Sequence, residues 1–439
     1  MRQRPKGLPR KRGGTGDYKG AALILPTADG ALYLRNDLKN RAIIRRLINF
    51  NELKIFDSAK GQHNMVTIIK KGYDPDFTAQ TCITKIRGDS TPNILNSILS
   101  WQNKQTEYYS VKQKHLFDGD KNYIRIQGSE SKEGGVFEEV LKKIKQNSTP
   151  LIKIKNINQG ILTGVDKVAD RHIKKFNLKD IHKGEGVYII SNSELEELKL
   201  NENEKKTIKP HYKNSDIFRY FTKSVRDKEN LIYATRDLEI ENYPNIKKHL
   251  FKYEQIIKAR SDERGEMQAA LKLGKWWVIF AARPDVNFES QKIVCPQRSP
   301  RNTFGYNNEP WYACTDVYFI TNKKSDDNDL KYILALLNSK LMYIWLYFRG
   351  KRKGELLELL YQPLTEIPIK EIPLEKQIPF IQLVDQILFI TKDDDYLDNW
   401  DMLEKVRKLE KEIDQLVYKL FDLISEEIET VEMFCKEKM

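Results

Sequence analysis

The stretch Asp329–Pro373, DLKYILALLNSKLMYIWLYFRGKRKGELLELLYQPLTEIPIKEIP, limits the fold more than any other part of this chain. Ile333, Leu336, Leu337, the Lys340 stem, Leu341, Ile344, Trp345 and Phe348 recur at helical spacing and surround nearly the whole helix. A helix that is apolar on most sides has no solvent face to offer, so it must be buried between layers. Directly after it, Arg349–Glu355 (RGKRKGE) sets Arg349, Lys351, Arg352 and Lys353 within five residues, with Gly350 and Gly354 between and after them. Four cations in a row of this kind have two readings. One is a solvated loop; the other is a phosphate-contacting loop held on a rigid helix, giving affinity without sequence preference. A second apolar run and a proline-punctuated exit complete the stretch.

Charge bears on that choice. The chain of 439 residues carries a net +13, but residues 392–439 hold 8 Lys+Arg and 15 Asp+Glu, or −7. The other 391 residues therefore hold 75 − 8 = 67 basic and 62 − 15 = 47 acidic side chains, or +20. A basic body with an acidic helical tail implies a polyanion partner for the body. The length allows two or three domains. A hydrophobic fraction of 40% supports a sizeable core. No run of about 18 apolar residues occurs, so no membrane helix and no membrane partner is expected. The charged N-terminus is not followed by an apolar segment of signal-peptide type. Cys82, Cys295, Cys314 and Cys435 are scattered without a CxxC pair, which fits a reducing cytoplasm and argues against structural zinc. No metal site is expected.

Residues 1–19 form a basic tail, with seven cations and one acid among repeated Pro and Gly, for which no fixed structure is expected. Its GGTGDYKG run has the wrong spacing for a dinucleotide loop. Ala21–Pro26 (AALILP) reads as a buried strand, and the following residues as a helix with Leu34, Leu38, Ile43, Ile44 and Leu47 on its core face. Glu52–Phe56 and Met65–Lys71 read as two strands. This is a fragment of an α/β sheet, and roughly fifty residues cannot close one alone. Residues 73–145 read as a connector with one helix, Val136–Lys145, preceded by a turn at Gly128–Gly135. Beyond Pro150, Leu151–Leu162 reads as a strand pair and Asn245–Arg260 as a helix. WWVIFAARP, KIVCPQRSPRNTFGY and CTDVYFIT complete a β-rich unit, with Trp276 and Trp277 alternating faces in a strand. Tyr396–Glu432 reads as a long amphipathic helix with Leu403, Val406, Leu409, Ile413, Leu416 and Leu420 in a coiled-coil-like stripe, then a short second helix capped by Ser425.

The order of five strings carries a family resemblance: LIKIKNI (151–157), KNSDIFRYF (213–221), YPNIKKHLFKYEQIIKAR (243–260), ESQKIVCPQRS (289–299) and LLNSKL (336–341). In this order they resemble the TaqI-like target-recognition domain of Eco57I/TaqI-type, adenine-specific DNA methyltransferases of type II/IIG restriction-modification systems. The resemblance spans about residues 151–432. Residues 20–72 are similar to the end of the same family's catalytic domain. It implies a mixed α/β (α+β) fold: a partial Rossmann-like methyltransferase sheet (20–72), the connector (73–145), a β-rich DNA target-recognition domain (146–391) and a helical tail (392–439).

The resemblance also implies roles. Phe56 stands where the family places the aromatic that stacks on a flipped target adenine; a core strand residue is the alternative. The family's glycine-rich cofactor loop and its NPPY tetrapeptide are missing, NYPN at Asn242–Asn245 being the nearest string. No catalytic residue is therefore assigned. S-adenosylmethionine is the methyl donor of the complete family enzyme and is not expected to bind this chain alone.

Arg298, Arg301, Asn302 and Tyr306 share a polar, turn-rich stretch where base-edge readers would sit, Arg favouring guanine and Asn adenine; an ordinary surface loop is the alternative. His211 and His249 read as structural. Pro284–Lys292 (PDVNFESQK) has a metal-nuclease flavour, but its spacing is wrong and Lys292 falls in the strand KIV. The expected role is recognition of duplex DNA, with a separate catalytic half or nuclease chain as partner, or else a truncated gene, which the basic N-terminus favours. The alternatives are a stand-alone specificity subunit and an RNA-binding or scaffold protein.

Overall fold

The computed structural model describes residues 18–21, 29–56, 64–118, 122–126, 132–225, 227–259, 270–323 and 328–438. They form two units, Met1–Lys143 with Lys351–Leu356 and Leu423–Lys438, and Ile144–Gly350 with Leu357–Asp422. The fold is mixed α+β.

The first unit is built on five strands: β1 (Tyr18–Ala21), β2 (Ala42–Asn49), β3 (Met65–Lys71), β4 (Thr78–Thr84) and β5 (Thr106–Lys112). Their order across the sheet is β1-β3-β2-β4-β5, with every pair antiparallel except β2–β4. Alternation along β2 sends Ile44 and Leu47 to one face and Ile48 to the other, either side of a register shift at Ile44/Arg46. Helix α1 (Leu32–Arg41) covers the first face with Leu38, and α2 (Pro92–Leu99) covers the second with Ile98. Helix α3 (Lys132–Lys145) meets the last helix of the chain, Ser425–Lys438, through Phe137 on Phe434 and through Lys143 Nζ to Glu427 at 2.7 Å.

Several expectations change here. The helix expected to run through Leu47 ends at Arg41, and Ala42 turns extended at φ −133°, ψ 141°. Ile43, Ile44 and Ile48 are β-branched and suit a strand. Strands from residues 20–72 and 73–145 hydrogen-bond within one sheet, so the connector is part of the sheet. Lys132–Gly135, expected in a turn, are helical. The N-terminal residues 1–17 and most of AALILP lie outside the described residues.

In the second unit the two larger sheets share one core. The strands β6 (Lys155–Gln159), β7 (Ile189–Ser191), β8 (Ile208–Tyr212), β9 (Tyr220–Phe221), β10 (Glu229–Ile232), β11 (Lys292–Pro296), β12 (Arg298–Ser299), β13 (Gly305–Asn307), β14 (Tyr312–Ala313) and β15 (Val317–Asn322) follow in chain order. One sheet has the order β6-β15-β11-β13-β9 and the other β7-β10-β8-β14. Val294, Trp311, Phe319, Ile232 and Leu250 belong to their shared core. Leu151–Ile154 is a helical turn, not a strand. The expected helix 245–260 breaks at Tyr253 into Pro244–Lys252 and Glu254–Lys258. Trp276 and Trp277 lie in a turn, both half-buried, with no strand to alternate along.

The apolar stretch behaves as its pattern requires in burial but not in continuity. Leu330, Tyr332–Asn338 and Leu341–Tyr347 are buried. It is two helices, α4 (Leu330–Asn338) and α5 (Lys340–Arg349). Ser339 is extended at ψ 155°, and its hydroxyl accepts from Met342 N to cap α5. Helix α6 (Leu374–Thr391) packs on α4, and α7 (Trp400–Leu420) packs on α5 and α6. Asp414 of α7, itself buried, accepts from Lys340 N at 2.8 Å, placing a carboxylate at the α5 N-terminus where the helix dipole favours it.

Candidate nucleic-acid interface

The segment from β12 through β13 carries the residues expected to read bases, and the break between α4 and α5 holds the loop between the two strands in place. Asn302 is 0% exposed. Its amide donates to Leu337 O at 2.7 Å and Ser339 O at 2.8 Å. Asn338 answers from the helix side, donating to Phe304 O at 2.8 Å and accepting from Phe304 N at 3.1 Å. Gly305 completes the fit, because a Cβ there would lie 2.6 Å from Phe221 O. Asn302 is thus committed to backbone carbonyls inside the protein and has no group left for a base edge. That expectation is corrected.

Arg219, which no sequence pattern singles out, ties this knot to the tail. Its Nε donates to Glu410 of α7 at 2.9 Å, its Nη1 to Asn302 O at 3.0 Å, and its Nη2 to Asn338 O at 2.7 Å. Burial opposes its charge, but Glu410 more than compensates and keeps the guanidinium's pKa above its ordinary value. The acidic helix α7 is therefore tied through Arg219 to the loop between β12 and β13. No local signal marks Arg219, since each of its partners is more than eighty residues away in sequence.

Arg298, on β12, is exposed, and Arg301, in the loop, is half-buried. Arg298, 46% exposed, donates to Glu358 at 3.1 Å. Both line a cleft of about 580 Å³, with Phe218, Thr303, Tyr396 and Arg407 among the other lining residues. Tyr306 is half-buried on β13, near Gln291 Oε1 at 3.1 Å and under the Lys331 ammonium, and burial pushes its hydroxyl pKa up.

The basic segment is not a free loop. Arg349 ends α5, Lys351–Lys353 are a short strand, and all four cations are half-buried. Gly354 follows at φ +61°, where a Cβ would lie 2.4 Å from a Glu52 carboxylate oxygen. A side chain would therefore face both a strained φ and a close contact. Lys351–Leu356 belong to the first unit, as does Phe56. Phe56 is 46% exposed just past the two-residue strand Leu53–Lys54, so it is not a core strand residue.

His211 sits in a charged cluster on the second sheet. Its Nδ1 is 3.3 Å from Glu229 Oε2 and its Nε2 3.5 Å from Cys314 Sγ. Lys167 and Lys213 reach the same carboxylate at 2.9 and 3.2 Å. The His211 hydrogen bond, aided by the two lysines, holds Glu229 far below the usual carboxylate range. His249 bonds Val187 O at 3.0 Å. Lys292 is buried in β11, where Nζ donates to Ser290 O and Glu309 O, each at 2.6 Å, and burial lowers its pKa to about 8. Among the described residues no helix is long and apolar enough to cross a membrane.

Residues 238–369 match the TaqI-like C-terminal specificity domain. Three of the five ordered strings fall wholly or largely within that match, and the loop 298–306 and Arg349–Lys353 lie inside it. The chain is similar to two Haemophilus influenzae proteins. It is 30% identical to the type II methyltransferase M.HincII over 103 residues, which is 22% of this chain and 20% of that protein. It is 31% identical to the type II methyltransferase M.HindII over 83 residues, which is 18% of this chain and 16% of that protein. This chain therefore spans about a fifth or less of the length of these relatives. The fold is similar to the type IIL restriction-modification enzyme MmeI, solved in complex with DNA, with TM-score 0.57 and 14% identity over 96% of this chain and 49% of that one.

Proposed function

We propose that this chain recognises a specific sequence in duplex DNA as part of an adenine-specific methyltransferase of a restriction-modification system. The observation that carries this is the specificity-domain match, which takes in the loop at Arg298 and Arg301 and the cations Arg349, Lys351, Arg352 and Lys353. Arg298, Arg301 and Tyr306 are the candidate base readers that remain. Arg349, Lys351, Arg352 and Lys353 contact phosphates, positioning the duplex without reading it. Phe56 is the stacking platform for the extruded adenine, a role its exposure allows. S-adenosylmethionine is the methyl donor of the complete enzyme. The chain has no NPPY string and no glycine-rich cofactor loop, so methyl transfer requires a catalytic half beyond these residues.

That same lack favours one second reading, a specificity subunit that binds DNA for a separate methyltransferase or nuclease chain. The two readings share the DNA-binding step and differ in partner, so co-purification from the native host distinguishes them. The shared step is tested by competing duplex DNA against duplex RNA for the purified chain. B-form DNA should win, because long side chains read a wide major groove that A-form RNA closes off. Equal or stronger RNA binding would refute both readings and favour an RNA-binding or scaffold role.

A further inference from the structure

Three neighbouring strands bring a thiol, an imidazole and a carboxylate into line. His211 on β8 lies directly across from Glu229 on β10, and across from Tyr312 of β14 on its other side. Cys314 directly follows β14. Glu229 Oε2 is 3.3 Å from His211 Nδ1, and His211 Nε2 is 3.5 Å from Cys314 Sγ. Lys167 and Lys213 hold Glu229 as a carboxylate, so Nδ1 of the neutral imidazole carries the ring proton and donates it. Nε2 then turns its lone pair to Sγ. Cys314 and His211 are 103 residues apart in sequence, so no local spacing marks the pair.

The thiol is neutral at rest. Burial and the carboxylates of Asp166 and Asp316 push its pKa up, with Asp166 Oδ1 3.8 Å from Sγ, while Lys213 opposes them. A neutral thiol is a weak nucleophile. What activates one is a base within hydrogen-bond reach, itself oriented by a third group, and His211 and Glu229 stand in those two places. Cys314 is half-buried, whereas Cys82, Cys295 and Cys435 are 0%, 0% and 2% exposed. A small reagent therefore has one thiol of the four to meet.

We propose that Cys314 is a covalent modification site, at which His211 activates the thiol for exchange with low-molecular-weight disulfides. As Sγ attacks one sulfur of the disulfide, Nε2 takes the thiol proton and Glu229 steadies the imidazolium. A new S–S bond forms to Cys314, the old one breaks, and the departing thiolate takes the proton back from Nε2. The products are a mixed disulfide and one free small thiol; the Cys314 sulfur is oxidised and the departing sulfur reduced. None of these residues is assigned to DNA contact, so the site stands or falls independently of duplex recognition.

The test is reaction of the full chain with hydroxyethyl disulfide, a small neutral probe, followed by intact mass and peptide mapping across about pH 6 to 9. With His211 as base, the Cys314 rate rises as the imidazole loses its proton and levels off above about pH 7.5. Without that base the rate climbs about tenfold per pH unit throughout, following the thiolate fraction of a thiol whose pKa is raised. His211→Asn should slow Cys314 at about pH 7.5 by roughly a hundredfold or more and abolish the plateau. Unfolding cannot mimic that loss, because it would expose all four thiols and raise their rates. Should the variant fail to fold, the wild-type profile alone decides. A climb without a plateau in wild type, Cys314 reacting no faster than Cys82, or a folded His211→Asn variant with an unchanged rate overturns the proposal.

Discussion

Replacing Asn302 with alanine separates a scaffold role from a reading role. The side chain is wholly buried and makes two donor bonds, to Leu337 O at 2.7 Å and Ser339 O at 2.8 Å. Each buried bond is worth about 1 kcal/mol net, and a stranded buried acceptor costs about 1–3 kcal/mol more. Ser339 O keeps its bond from Tyr343 N at 3.1 Å, so its penalty is partial. Leu337 O lies at the α4 C-terminus, where intrahelical donors run out, and takes the larger penalty. The Arg219 guanidinium is also deprived of Asn302 Oδ1, its acceptor at 3.3 Å. The sum is about 3 kcal/mol of destabilisation, within the range for breaking a buried polar network. Urea unfolding followed by tryptophan fluorescence measures it, with the midpoint falling while the slope holds. A destabilisation below about 1 kcal/mol, together with altered preference at one base pair, would refute the scaffold assignment and restore Asn302 as a reader.

Alanine at Lys351, Arg352 and Lys353 should weaken binding to every duplex alike and reduce the salt slope by up to about 0.9 for each phosphate no longer neutralised; titrations at several salt concentrations read this directly. Since the three side chains are half-buried, the total reduction should fall short of that for three fully neutralised phosphates. Sensitivity confined to one sequence would make the segment a base reader. Glu229→Gln should cost about 1–3 kcal/mol, chiefly by removing the carboxylate that faces buried His211. The folded-state pKa of Glu229 is depressed, so its contribution is present above the unfolded value near 4.3 and is lost as pH falls below it. The variant should therefore lose stability less steeply than wild type on acidification below about pH 5, as thermal melts across that range would show.

Burial of Leu330–Tyr347 was legible because apolar residues on all sides leave a helix nowhere but the interior. The break at Ser339 was not, since the helical period runs through it and the deciding bonds come from Asn302 and Phe304, more than thirty residues away. Strand Met65–Lys71 was legible to the residue, its β-branched run being bounded by polar turns. Strand Ala42–Asn49 was hidden because Ile43, Ile44 and Leu47 also fit a helical stripe continuing from Leu38. Asn302 shows the limit for sites. A polar residue in a turn-rich stretch looks exposed by composition, and only the distant helix pair reveals that it is buried. Arg219 and Glu410 were invisible for the same reason, each ordinary until the tail helix docks on the loop.

Selection from a random duplex library by the purified chain tests the central claim most directly. The account predicts enrichment of one short DNA sequence, with preference at individual positions relaxed by Arg298→Ala or Arg301→Ala. Binding with no enriched sequence, or enrichment untouched by both substitutions, would contradict it.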